Sequence, residues 1–124
     1  MNSELRTEGL SPEALRQRTK EFALRIIRLV RSLPKTDEAR VIGRQLLRSG
    51  TSIGANHRAA VRGRSRAEFI AKLGIVLEEA DETVYWLELL AESGIVPTKR
   101  MEAITAEANE LVRIFSASRR TLRE

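Results

Sequence analysis

The fold of this chain is decided at residues 45–60, QLLRSGTSIGANHRAA, a run of small and polar residues inside an amphipathic segment. Glycine, serine, threonine and asparagine are weak helix formers, so tertiary packing has to hold them in a helix. Glycine also lets a second backbone approach closely. The run therefore predicts a helix that packs tightly against another helix or another chain.

Helix boundaries lie on both sides of this run. The three prolines of the chain fall at expected helix ends: Pro12, Pro34 and Pro97. Suitable N-cap residues precede three of the helices: Ser11, Thr36 and Ser65. These signals predict helices over residues 12–33, 37–62, 66–93 and 98–118, after a flexible segment at 1–10 and before a basic end at 119–124. Because short connections favour antiparallel neighbours, the predicted fold is all-α, an antiparallel up-down four-helix bundle.

Composition narrows the classes of protein that fit. A chain of 124 residues forms one domain. It contains no cysteine, which excludes disulfides and thiolate metal sites. The N-terminus lacks the pattern of a secretory signal, and no apolar run approaches the length of a membrane span. We therefore expect a cytoplasmic protein that makes no contact with a membrane.

The second helix sorts into faces at about 100° per residue. Its core stripe is interrupted by Ser49 and Asn56, which predicts a buried polar pair that sets the helix register, with a ligand site as the alternative. Gly43, Gly50 and Gly54 share a neighbouring face. They indicate a close approach, either a crossing within the bundle or an oligomer interface.

A third face of this helix carries arginines. It holds Arg40, Arg44, Arg48, Arg58 and Arg62, and in extension Arg66. Residues 1–66 contain 15 Lys and Arg against 6 Asp and Glu, whereas residues 67–124 contain 7 against 11. Guanidinium groups suit phosphate, so this face predicts RNA or DNA binding. Three C-terminal arginines are expected as auxiliary contacts: Arg119, Arg120 and Arg123. A solvated surface, or pairing with the acidic third helix of a neighbouring subunit, is the alternative.

The third helix carries acidic residues and, away from its core stripe, Trp86 and Ile75. Large apolar residues off the core face predict an oligomer interface. Catalytic motifs are missing. His57 is the only histidine, no Glu-x-x-His pair for a di-iron bundle is present, and no phosphate-binding loop appears. The sequence predicts a protein that is not an enzyme and that needs no cofactor or metal.

Two motifs in one order carry a resemblance to a known family. They are QLLRSGTSIGAN, followed by Arg58 to Ala60, and AEFIAKLGIVLEEADETVYWLELL. The chain resembles the four-helix-bundle proteins encoded in intervening sequences of 23S ribosomal RNA genes, also labelled S23-like, over roughly residues 22–90. It departs modestly from the family at Gly50, Gly54 and the pair His57–Arg58.

The resemblance implies several properties that the residues alone do not establish. It implies an all-helical protomer of a cyclic homopentamer, with nucleic-acid binding and no enzymatic activity. A related branch is the accessory variability protein of diversity-generating retroelements, which implies a reverse transcriptase as a further partner. The resemblance does not imply a ribosomal subunit.

Overall fold

The computed structural model describes residues 6–124, and this part of the chain forms four α-helices and no β-strand. The helices are α1 (Pro12–Arg31), α2 (Asp37–Val61), α3 (Arg66–Glu92) and α4 (Thr98–Arg123). Helix α4 continues past residue 118, so the predicted basic end at 119–124 belongs almost entirely to a helix. Within residues 6–124, no helix is both long and apolar enough to cross a bilayer.

The predicted flexible segment at 1–10 is described only in its second half, since residues 1–5 lie outside the described residues. Thr7 and Leu10 exchange two backbone hydrogen bonds of 2.9 Å, and Thr7 is fully buried. The guanidinium of Arg6 donates to the Gly9 carbonyl. Residues 6–10 therefore form a closed turn ahead of α1.

The three predicted N-caps are confirmed. The Ser11 side chain accepts from the backbone N–H of Ala14 at 3.1 Å, and the Thr36 side chain accepts from that of Ala39 at 3.3 Å. Ser65 accepts from the N–H of Glu68 at 3.1 Å. Each cap satisfies a backbone donor that the first helical turn leaves open.

The core lies where each helix packs on the next one along the chain. It is mostly aliphatic, and its two largest fully buried side chains are Phe22 of α1 and Phe115 of α4. Leu46 and Ile53 of α2 and Leu87 of α3 are also completely buried. Burial of this kind stabilises the fold by about 1.5–3 kcal/mol for each large apolar side chain.

The glycine face of α2 packs against α1 within the same chain. A Cβ at Gly50 would lie 2.9 Å from side-chain atoms of Ile26, and one at Gly54 would lie 3.1 Å from Thr19 Oγ1. A Cβ at Gly43 would lie 3.1 Å from Leu33 Cδ1. The close approach is thus made inside the bundle, which is the first of the two alternatives for Gly43, Gly50 and Gly54.

The buried polar residues on the core face of α2 also differ from the expectation. Ser49 is fully buried, and its hydroxyl lies 2.9 Å from that of Thr83 on α3. Asn56 is only half-buried, and its amide donates to the Ser52 carbonyl of its own helix. His57 takes the buried position instead, with 1% of its surface exposed. Of the expected buried pair, Ser49 is therefore buried and Asn56 is not, and the Ser49 hydroxyl is paired with Thr83 of α3 instead.

Candidate nucleic-acid interface

A groove runs along the surface between α1 and α2, and we call it the α1–α2 groove. It contains three cavities. The central cavity, of about 320 Å³, is lined by Arg16, Thr19, Lys20, Ala23, Thr51, Gly54, Ala55 and Arg58. The end cavity, of about 230 Å³, is lined by Pro12, Glu13, Arg16, His57, Arg58, Val61 and Arg62. The distal cavity, of about 320 Å³, is lined by residues 30–35 of the α1 end and by α2 residues from Ala39 to Leu47.

The lining of this groove is strongly basic. Its cationic side chains are Arg16, Lys20, Arg31, Lys35, Arg40, Arg44, Arg58 and Arg62. Glu13 is the one acidic residue among those that line the three cavities. The groove exists because the glycines of α2 bring the two helices together while long cationic side chains stand along both rims. The arrangement can hold anions along its length.

Most of these cations have no acidic partner among the residues that the structure describes. Within residues 6–124, no carboxylate forms an ion pair with Arg16, Lys20, Arg58 or Arg62, and the same holds for Arg44. Arg40 is the exception, since it pairs with Asp37 at 3.3 Å and donates to the Lys35 carbonyl. The groove therefore presents guanidinium groups that are available to a ligand.

Arg48 lies outside this groove. Its guanidinium faces α3, where it pairs with Glu79 at 3.2 Å and with Glu82. The hydrogen bonds with Glu82 and Glu79 raise the pKa of Arg48 above its usual value. Two of its guanidinium nitrogens are thus engaged within the protomer, and its role as a nucleic-acid contact stays a prediction.

Two other arginines outside the groove are paired as well. Arg18 makes two hydrogen bonds of 2.8 Å with Glu107 on α4, and Arg113 pairs with Glu110 at 2.7 Å. These arginines differ from most of the groove cations, because their contacts with carboxylates occupy the N–H donors that a phosphate would use.

The C-terminal arginines form a separate basic site. Arg119, Arg120 and Arg123 line a cavity of about 450 Å³ together with Leu77, Ser116 and Glu124. A Cβ on Gly74 of α3 would lie 2.9 Å from Arg119 Nε, so the guanidinium lies directly over that glycine. The structure therefore does not bring these three arginines together with the α2 arginines.

His57 lies beneath the groove, in contact with the core. Its ring centroid is 5.8 Å from that of Phe115, and neither ring nitrogen has a hydrogen-bond partner within the described part of the chain. Burial lowers its pKa from 6.5 to about 4, so the ring is neutral at pH 7. Nothing in this environment activates it as a base or a nucleophile.

The outer face of α3 carries two of the exposed large apolar residues, and the others are Leu24 of α1 and Val41 and Leu47 of α2. Ile75 is 46% exposed and Tyr85 is 52% exposed. Trp86 is half-buried, stacks edge-on against Tyr85, and donates its indole N–H to Glu82 at 3.0 Å. This hydrogen bond, followed by that of Arg48, holds the pKa of Glu82 below its usual range.

Four groove residues were missed by reasoning from the sequence: Arg16, Lys20, Arg31 and Lys35. Arg16 and Lys20 are four residues apart and so share one face of α1. That spacing could have indicated a basic face on α1. It places this face beside the α2 arginines only once the glycine face of α2 is known to contact α1. In residues 6–124, no three acidic or histidine side chains come together as a metal site.

Comparisons with known proteins agree with the helical fold. A family model described as 23S rRNA-intervening sequence protein matches residues 14–117. The chain is similar to the crystal structure of a protein of unknown function from the S23 ribosomal protein family of Bacteroides thetaiotaomicron VPI-5482. The two share 38% sequence identity with a TM-score of 0.80, over 91% of this chain and 98% of the other. No curated protein matches the chain.

Proposed function

The chain belongs to the family of 23S rRNA-intervening sequence proteins, and we propose that it acts as a non-catalytic, homo-oligomeric scaffold that binds RNA or DNA. The observation that carries this proposal is the α1–α2 groove, in which most of the cations from the two helices have no carboxylate partner among residues 6–124. Guanidinium groups in such a setting match phosphate oxygens in charge and geometry. The contacts would be to the nucleic-acid backbone, which positions a protein without reading sequence.

The proposal includes an antiparallel protomer. Its support is the order of contacts between α2 and α1, since Gly43 faces Leu33, Gly50 faces Ile26, and Gly54 faces Thr19. The numbers of the contacting residues rise along α2 while they fall toward the start of α1, as expected for antiparallel helices.

The proposal also includes assembly, with a cyclic pentamer as the form implied by the family resemblance. With the glycines buried against α1, the surface that supports assembly is the outer face of α3 around Ile75, Tyr85 and Trp86. Exposed large apolar side chains such as these can act as interface anchors. A ring would multiply weak phosphate contacts through avidity.

A protein-only scaffold is the competing function, in which α2 arginines pair with the acidic helix of the next subunit. The contacts of Arg48 with Glu79 and Glu82 weigh against it, because that pairing is made within one chain. A reverse transcriptase partner stays a prediction from the resemblance, and a polymerase gene beside this one would support it.

The test combines oligomer mass with a salt series of RNA and DNA binding. If about four phosphates are neutralised, affinity falls roughly 100-fold between 50 and 200 mM salt. The triple variant Arg44→Ala/Arg58→Ala/Arg62→Ala should lose most of the binding and keep the oligomer mass. Its control removes the same charge outside the groove, at Arg28, Lys99 and Arg113, and should bind nearly as the wild type does. Binding that is insensitive to salt, or equally lost in both variants, would refute the groove as the binding surface.

A further inference from the structure

We propose that the α1–α2 groove contains a defined seat for one phosphate group where the central and end cavities meet. We call it the Arg16–Arg58 seat, and its cations are Arg16, Lys20, Arg58 and Arg62. This inference rests on the proposed function but is more specific, because it singles out one part of a long basic groove.

The geometry of the two cavities defines the seat. Arg16 of α1 and Arg58 of α2 line both cavities, so their side chains stand at the junction. Lys20 adds a cation on the central side and Arg62 adds one on the end side. Charge therefore reaches a ligand from two opposed helices, which a single helical stripe cannot achieve.

Small residues provide the space. Thr51, Gly54 and Ala55 form the α2 wall of the central cavity, of about 320 Å³, and the end cavity adds about 230 Å³. Both volumes exceed by severalfold the roughly 30 Å³ that one water molecule occupies in the liquid. Each cavity therefore has room for a tetrahedral oxyanion.

The pairing of the cations with carboxylates differs between the two ends of the groove. At the distal cavity, Arg40 is already paired with Asp37. At the seat, none of the four cations has an ion pair among the described residues, and Glu13 on the rim is exposed. Like charges around one cavity repel one another. A bound anion of charge −1 to −2 offsets this repulsion, because it is attracted to each of the cations.

Two further features lie at this end of the groove. His57 is 1% exposed, borders the end cavity, and has two ring nitrogens that are buried and have no partner in residues 6–124. A buried polar group that lacks a partner is unusual. Pro12, the first residue of α1, lines the same cavity, so the positive end of the helix dipole adds to the local field.

The ligand class is a phosphate group, either free or part of a nucleic-acid backbone. Inorganic phosphate and pyrophosphate test the seat alone, and a 20-base-pair RNA duplex tests its use in nucleic-acid binding. Each is titrated by calorimetry at constant ionic strength into the wild type, Arg16→Ala/Arg58→Ala, and the control Arg28→Ala/Arg64→Ala. The control removes the same charge from exposed arginines that line none of the groove cavities.

We expect Arg16→Ala/Arg58→Ala to abolish pyrophosphate binding and to weaken duplex binding at least 10-fold, and the control to change duplex binding less than threefold. Equal behaviour of the two variants would overturn the seat. If that equality accompanies tight duplex binding by the wild type, the proposed function survives and the seat does not. If the wild type binds pyrophosphate but no duplex, the seat survives and the proposed function does not.

A second pair of substitutions covers a failure to fold. Arg16→Gln/Arg58→Gln keeps the hydrophobic stems and removes the charges, and circular dichroism establishes its helicity. It should reproduce the loss of pyrophosphate binding. A folded glutamine variant that still binds pyrophosphate as the wild type does contradicts the inference.

Discussion

Burial makes His57 a source of pH-dependent stability. Its pKa is about 4 in the folded chain against 6.5 for an ordinary histidine, so between these values the unfolded chain binds more protons. The contribution of neutral His57 to the free energy of unfolding is fully present above pH 6.5, and it is lost as the pH falls toward 4. We expect a loss of about 2 kcal/mol between pH 7 and pH 5.

Urea unfolding at the two pH values checks this expectation. The variant His57→Leu should lack this component of the pH dependence, because its side chain does not titrate. It should unfold at pH 7 no more easily than the wild type, since two unpaired nitrogens are removed. An identical pH dependence in the two proteins would show that His57 is not responsible.

Arg48 should stabilise the fold and contribute little to nucleic-acid binding. Its side chain is 48% exposed and links α2 to α3 through Glu79 and Glu82. Arg48→Met keeps the stem and loses the ion pairs, which should lower the free energy of unfolding by about 0.5–1 kcal/mol at low salt. The difference should shrink in 1 M NaCl because salt screens exposed charges.

The same variant separates stability from binding. Its affinity for RNA should stay within twofold of the wild type, measured at a temperature where both are folded. A tenfold loss of RNA affinity would show that Arg48 does contribute to nucleic-acid binding.

Sequence reasoning failed at single residues where faces of one helix meet. Asn56 and His57 are adjacent and about 100° apart, and the periodic pattern favoured Asn56 for the core. The structure buries His57, because the glycines of α2 pack against α1 and the buried face of α2 therefore extends toward α1. The direction of this rotation depends on the partner helix, which one helix's own pattern does not contain.

At the level of elements, the contact of α2 with α1 depends on Gly50. An added Cβ would lie 2.9 Å from two atoms of Ile26, which is fully buried and β-branched. Gly50→Ala therefore overpacks the core at a cost of about 1–3 kcal/mol, which exceeds the gain in helix propensity of about 1 kcal/mol. We expect a net loss in the free energy of unfolding of up to about 2 kcal/mol.

Gly43→Ala is the matched control. Its new Cβ would meet the end of the half-buried side chain of Leu33 at 3.1 Å, and that side chain can shift. The free energy of unfolding should change by less than about 0.5 kcal/mol as strain offsets propensity. Denaturant melts of equal midpoint for the two variants would contradict a specific contact between Gly50 and Ile26.

The elements themselves were the most predictable part of the fold. Ser11, Thr36 and Ser65 cap helices because their side chains satisfy local donors, and that chemistry is readable within four residues. The end of α4 was less predictable, since no glycine or proline follows residue 118 to stop the helix. The groove depends on contacts between α1 and α2, so only its α2 rim could be recognised from the sequence.

At the scale of the whole molecule, the lining of the α1–α2 groove predicts binding without sequence preference. The residues that line its cavities include no Phe, Tyr or Trp, and the ring of His57 is buried, so bases have no accessible ring to stack on. Affinities for unrelated RNA duplexes of equal length should agree within about threefold at fixed salt. Competition titrations measure this, and a preference of a hundredfold would indicate base contacts elsewhere on the protein.

Trp86 is the only tryptophan in the chain, and its half-buried indole lies on the outer face of α3, away from the groove. Indole emission shifts to shorter wavelength when water is excluded from the ring. A subunit that docks on this face should therefore shift the emission as protein concentration rises, whereas RNA in the α1–α2 groove should leave it unchanged. The protein thus contains its own optical reporter, which can follow assembly and nucleic-acid binding separately in one cuvette.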